Sequence, residues 1–177
     1  MGIKITNLLF ISILITILLA SCQKNNTLTA IPQTTEAQEL TLLAKYIAKY
    51  HPGLLPKSSG LFVIETKAAP LGADSIRNGD VVHVFYSGYL ISDDAATGVK
   101  DGYNFDNSGT VTPFTFTVGA GSVIQGWDLG ATYMTSGSEV KLIIPSRLAY
   151  YNQSGNGIPA YSTMIFYMKI AKVTSAK

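Results

Sequence analysis

Side chains able to do covalent or metal chemistry are few in this chain, and their spacing rules out most of their uses. The two histidines, His51 and His83, have no second His or Cys at ligand spacing, and a zinc site needs three or four such ligands around one ion. Metal binding is therefore not expected. Gly119-Ala120-Gly121 follows a strand-like run but lacks the third glycine and the following acidic residue of a dinucleotide fingerprint, and no Walker loop occurs. No cofactor is expected either. Cys22 is the only cysteine, so an internal disulfide is excluded and one thiol is left open to modification. The net charge is +2 with no basic stripe, which argues against a nucleic-acid partner. Apolar and aromatic residues instead gather in residues 114–137 around the only tryptophan, Trp127.

Cys22 sits at the end of an export signal. Lys4 precedes an apolar run from Leu8 to Ala20, shorter than the ~20 residues of a spanning helix, and Ala20 and Ser21 are the small residues a signal peptidase requires. Leu19-Ala20-Ser21-Cys22 matches a bacterial lipobox, in which the cysteine becomes the first residue and carries the lipid. An unpaired thiol is otherwise unusual in an exported protein. Gln23 is not the aspartate that retains enteric lipoproteins at the inner membrane, so the outer membrane is the expected destination. The chain is thus divided into a signal peptide (1–21), a lipidated polar tether (22–34), a helix with its linker (35–58) and one domain (59–177).

The elements that must position Trp127 follow from periodicity. Thr35 with Gln38 makes a capping-box start, and Leu40, Leu43, Ile47 and Tyr50 form a stripe that ends at His51-Pro52-Gly53. Fewer than three heptads are available, so this helix is expected to pack on its own domain rather than on a second chain. Strands are expected at residues 61–65, 81–86, 114–118, 140–144 and 164–170, where apolar and β-branched residues cluster between turn signals. Residues 91–103, with Asp93, Asp94, Gly98, Asp101 and Gly102, are too polar for a central strand and are read as a loop. After residue 121 the spacing turns helical, and Ile124, Trp127, Ala131 and Met134 share a face. Gly126 and Gly130 stack one above the other on that helix, at about 1 kcal/mol each against alanine. Close packing against a sheet would account for them. A buried core tryptophan and a tryptophan lining a site are both open readings of this stretch. Five strands and one internal helix give an α+β class, an antiparallel sheet wrapped on a helix, with an extra N-terminal helix.

Six motifs in order carry a family resemblance. Val84-Phe85-Tyr86-Ser87-Gly88-Tyr89-Leu90, Phe105-Asp106-Asn107-Ser108, Pro113-Phe114-Thr115-Phe116, Val123-Ile124-Gln125-Gly126-Trp127, Ile144-Pro145-Ser146-Arg147-Leu148-Ala149-Tyr150 and Ile158-Pro159 followed by Ser162-Thr163-Met164-Ile165-Phe166 make residues 59–173 similar to the FKBP-type peptidyl-prolyl isomerases. The resemblance implies a twisted antiparallel sheet around one short helix and a shallow aromatic pocket. Trp127 would form its floor, with Tyr86, Phe105, Phe114, Val123, Ile124, Ile158 and Phe166 as walls. The Asp106 carboxylate, the Tyr150 hydroxyl and the Ile124 backbone N–H would be its polar groups, with Asp106 acting on substrate or holding its neighbours in place.

The implied partners are X-Pro segments of unfolded or partly folded exported proteins, macrolides of the rapamycin type, and a membrane reached through the lipid. The implied activity is prolyl isomerisation in the cell envelope. A peptide-binding or chaperone module with weak turnover is the alternative. Two departures bear on this choice: Tyr151 stands where the family has glycine, and Ala160 where a second proline commonly follows Ile-Pro. A tyrosine takes a positive φ less cheaply than glycine, so the loop after Tyr150 is expected to run differently. Residues 91–104 also form a longer connection than minimal members have.

Overall fold

The structure, a computed structural model, describes residues 35–176. The signal peptide, the Cys22 lipobox and the tether lie outside the described residues. The first element, α1 (Glu36–Tyr50), starts with the expected capping box: the Thr35 hydroxyl accepts from the Gln38 N–H, and the Gln38 side chain accepts from the Thr35 N–H at 2.8 Å. Its buried face differs from the predicted stripe. Glu39, Leu43 and Tyr46 are inside, whereas Leu40 is 55% and Tyr50 42% exposed. The helix is turned by about one residue because Glu39 and Tyr46 find polar partners in the domain, which a purely apolar pattern does not encode.

Strands β1 (Phe62–Lys67), β2 (Val81–Asp94), β3 (Gly98–Asn107), β4 (Phe114–Thr117), β5 (Glu139–Ile144) and β6 (Met164–Thr174) form one antiparallel sheet. The order is β1-β5-β6-β2-β3, with β4 pairing β2. Helix α2 (Gln125–Ala131) lies against one face of the sheet. The two faces are covered by different helices, and β5 shows it residue by residue. Val140, Leu142 and Ile144 join the core of Trp127, Ala131 and Met134, while Ile143 turns the other way, to Leu43, Tyr46, Phe62 and Ile165. That alternation is the period-2 geometry of a strand, and cover on both faces is why β5 is buried almost end to end.

Gly126 and Gly130 meet the sheet as their spacing suggested. A Cβ on Gly126 would lie 2.3 Å from Ile144 Cγ2, and one on Gly130 would lie 2.6 Å from Leu142 Cδ1. The helix can sit this low only because both positions lack a side chain.

The reading of residues 91–103 as a loop is corrected. Most of the segment is a hairpin in which β2 runs on to Asp94, turns, and returns as β3, pairing Asp93 with Val99 and Ile91 with Asp101. Asp94 closes the turn, its carboxylate accepting from the backbone N–H groups of Ala96 and Thr97, both at 2.9 Å. Those two hydrogen bonds hold the Asp94 carboxyl below its usual range. That composition does not suit a central strand, but β3 is an edge strand, where polar and charged residues belong. Val99 alone supplies its buried apolar anchor.

Candidate functional site

Trp127, 5% exposed, occupies the first turn of α2 and is surrounded edge-on by rings from three strands. Tyr86 of β2 lies 4.9 Å from it at 81°, Phe166 of β6 5.0 Å at 86°, and Phe114 of β4 5.8 Å at 84°. Phe105 of β3 extends the wall, 5.5 Å from Phe166 and perpendicular to it. In T-shaped contacts of this kind the positive edge of one ring meets the negative face of the other. The rings bound an open cavity of about 220 Å³ that Asp106, Ser122, Val123, Ile124, Tyr150 and Met164 also line.

The register explains how distant residues converge. Gly88 pairs with Phe166 across β2–β6 and with Asp106 across β2–β3, so Tyr86, two residues away on the same face of β2, looks onto both neighbours. Its hydroxyl donates to Asp106 Oδ2 at 2.7 Å. Ser108 holds the backbone of Tyr86 from both sides, accepting from its N–H at 3.0 Å and donating its own N–H to the Tyr86 carbonyl at 3.1 Å. Burial first, and the Asp106 acceptor second, push the Tyr86 phenol well above its ordinary pKa, so it stays a donor at physiological pH. Asp106 thus acts on the ring that flanks Trp127.

Ile124 is the N-cap of α2, and its carbonyl accepts from the Trp127 N–H at 2.9 Å. Its own N–H precedes the helix and has no place in the helical ladder. Tyr150 stands at the rim, 48% exposed. All the residues assigned to the pocket by resemblance line this cavity except Ile158, which is buried in the adjoining core and lines, with Tyr150, Gln153 and Asn156, a neighbouring hollow of about 150 Å³. Two lining residues were not anticipated. Met164 shares a face of β6 with Phe166 at a spacing of two, a signal that was there to be read, whereas Ser122 sits in a turn with no pattern to mark it. A larger hollow, about 350 Å³, lies on the other side of the sheet, lined in part by Phe85, Ser87, Glu139, Tyr167 and Lys169. No ring cluster converges there, so the site is assigned to the Trp127 cavity.

The loop after Tyr150 does not avoid the conformation that glycine would take. Tyr151 has φ 53°, in the left-handed region, at a cost of roughly 1–2 kcal/mol. The Arg147 guanidinium lies 5.1 Å over its ring, and the Tyr161 ring packs against it at 5.3 Å. These contacts are what glycine could not make.

The arrangement can hold an apolar group against the indole, with the polar groups of Asp106 and Tyr150 at its edge. The family model for FKBP-type peptidyl-prolyl cis-trans isomerases matches residues 72–171. The chain is similar to the "FK506-binding protein 4" of Gibberella zeae, 39% identical over 99 residues, which is 56% of this chain and 18% of that protein. To human "Peptidyl-prolyl cis-trans isomerase FKBP2" it is 38% identical over 99 residues, 55% of this chain and 63% of that one. It therefore spans less than two thirds of these relatives' length. Among solved structures, a peptidyl-prolyl cis-trans isomerase from Pseudomonas syringae pv. tomato superposes with a TM-score of 0.63 at 26% identity, covering 78% of this chain and 92% of that one. FkpA from Escherichia coli gives 0.63 at 31% identity, covering 80% and 60%. With the fold, the ring-lined cavity and a match over more than half of its length, the chain belongs to the FKBP-type peptidyl-prolyl cis-trans isomerase family.

Proposed function

We propose that this protein is a peptidyl-prolyl cis-trans isomerase acting on X-Pro segments of unfolded or partly folded exported proteins, held at the cell envelope by lipid on Cys22. The observation that supports the activity is the cavity floored by Trp127 and walled by Tyr86, Phe114 and Phe166. Rotation about an X-Pro bond breaks no covalent bond; its barrier of about 18–20 kcal/mol is the resonance lost when the amide twists. A site that binds the twisted amide better than either planar form lowers that barrier. An apolar cavity favours the twisted, less charge-separated amide, while the Tyr150 hydroxyl and the Ile124 N–H orient the substrate carbonyls. Asp106 keeps Tyr86 in place. The direct test is a protease-coupled assay on an X-Pro peptide, in which accelerated isomerisation is expected. Peptide binding without acceleration would make the protein a binding module.

This mechanism transfers no proton, and that fixes three expectations. Tyr150→Phe removes one hydrogen bond of about 0.5–1.5 kcal/mol and should lower kcat/KM by no more than roughly tenfold. Asp106→Asn replaces a charged acceptor of the Tyr86 hydroxyl by a neutral one and should cost somewhat more. The kcat/KM profile should be nearly flat between about pH 6 and 8, since no histidine lines the cavity and Tyr86 remains protonated. A steep limb that vanishes in either variant would mean that a proton is transferred, and the mechanism would fail.

The envelope location is supported by the signal-like run and by Leu19-Ala20-Ser21-Cys22. Cys22→Ser is expected to fold normally and to lose both palmitate label and membrane association in cells. Wild-type protein that takes up no label, or a serine variant that keeps it, would remove the lipoprotein reading and with it the expected outer-membrane anchor.

A further inference from the structure

We infer that Glu39 is a positioning residue for the loop that carries Tyr150, an inference that rests on the isomerase reading of the cavity. Glu39 belongs to α1, outside the stretch matched by the family model. It is 3% exposed, and its carboxylate is filled by three donors. Oε1 accepts from the Ser146 N–H at 2.6 Å and from the Thr163 hydroxyl at 2.8 Å; Oε2 accepts from the Ser146 hydroxyl. Ser146 opens the 3-10 turn Ser146–Leu148 that leads into Tyr150, and Thr163 immediately precedes β6. One buried carboxylate therefore ties together the two ends of residues 145–163. The connection continues inward, because the Ser146 carbonyl accepts from the N–H groups of Ala149 and Tyr151, both at 2.8 Å, and the Tyr151 carbonyl accepts from the Tyr161 N–H at 2.7 Å. Backbone on both sides of Tyr150 is thus referred to Glu39.

A second carboxylate of α1 acts on the same loop. Glu36 pairs with Arg147 and accepts from the Tyr151 hydroxyl at 3.5 Å, which helps to hold Tyr151 in its left-handed conformation. A carboxylate on the buried face of a helix is costly unless its oxygens are hydrogen-bonded. The donors that satisfy Glu39 come from the loop, so removing it unties the loop as well as loosening the helix. Docking of α1 has a separate anchor in Tyr46, two turns further along the same face, whose hydroxyl donates to Asp101 and accepts from Lys141 Nζ at 2.7 Å. That network includes no residue of 145–163. Comparing the two anchors separates positioning from mere docking.

The test uses the full chain, an X-Pro peptide assay and backbone amide NMR. In folded Glu39→Ala, kcat/KM should fall by about tenfold, at least as far as in Tyr150→Phe, because the hydroxyl and its supporting loop are misplaced together. The amide signals of Tyr150 and Tyr151 should shift or broaden. Glu39→Gln, which keeps an acceptor oxygen in place, should recover most of the rate. Tyr46→Phe should lower Tm yet leave kcat/KM within about twofold, as expected of a distant site. A folded Glu39→Ala protein with wild-type kcat/KM and unmoved Tyr150 and Tyr151 signals would overturn the inference, and so would an equal rate loss in Tyr46→Phe. If Glu39→Ala does not fold, Thr163→Val deletes one of the three donors and must shift the same amide signals; unmoved signals refute the inference. If wild type itself shows no isomerase activity, the proposed function falls, and the positioning role is decided by the amide signals alone.

Discussion

Trp127→Ala is expected to lose about 3–5 kcal/mol of stability and, on the proposed function, the binding of X-Pro peptides and of macrolides of the rapamycin type. The indole is 5% exposed and meets Tyr86, Phe114 and Phe166 edge-on at centroid distances of 4.9–5.8 Å. Truncation therefore removes a large apolar surface and three ring contacts of about 0.5–1.5 kcal/mol each, and it leaves a void beneath the cavity. Urea denaturation followed by circular dichroism measures the first effect, and isothermal calorimetry the second. Trp127→Leu, which keeps much of the apolar volume, should fold better and still bind poorly. Retained affinity in either folded variant would move the site elsewhere, first of all to the hollow beside Phe85 and Tyr167.

The second large effect runs against intrinsic propensity. Alanine in place of glycine inside a helix ordinarily stabilises by about 1 kcal/mol, yet Gly126→Ala is expected to destabilise. The new Cβ would stand 2.3 Å from Ile144 Cγ2 and 2.9 Å from Cδ1, and Ile144 is fully buried in β5. Overpacking of a closed core costs about 1–3 kcal/mol, enough to reverse the propensity gain. Because Trp127 is the next residue, the same push should displace the cavity floor, and its fluorescence, the only indole emission of the chain, should change. Equilibrium unfolding of Gly126→Ala decides the sign. A variant more stable than wild type would mean that α2 can lift off the sheet at no cost.

How much of this was legible in the sequence depended on whether the cause was local. The Gly126 and Gly130 pair announced a close approach, because only a packing partner explains two glycines stacked on a short helix; Ile144 and Leu142 are that partner. The capping box at Thr35 and Gln38 was readable for the same reason, since both halves lie within one turn. The hairpin partner β3 was not. Its one buried apolar residue is Val99, and part of its support comes from Lys49 and Tyr50, whose side chains donate to the Val99 carbonyl at 2.7 and 2.9 Å from some fifty residues away. The buried face of α1 differs from its apolar stripe because the donors that bring Glu39 inside lie more than a hundred residues downstream. Trp127 comes from a helix and the other rings of its cavity from four strands, so no local pattern groups them; it was the ordered motifs that did.

The place of β6 in the sheet bears on how the chain reaches this state. It is the last strand in chain order among the described residues, yet it lies between β5 and β2 and hydrogen-bonds to both. Until it arrives, β1 with β5 and β2 with β3 and β4 are two separate pieces with no shared ladder. The core cannot close progressively from the N-terminal side during synthesis, and every route to the native sheet must first bring together residues far apart in sequence. Topologies of this kind fold slowly, in roughly milliseconds to seconds, because loop-closure entropy comes before the contacts that offset it. A nascent chain of this sequence therefore stays open until β6 has been made.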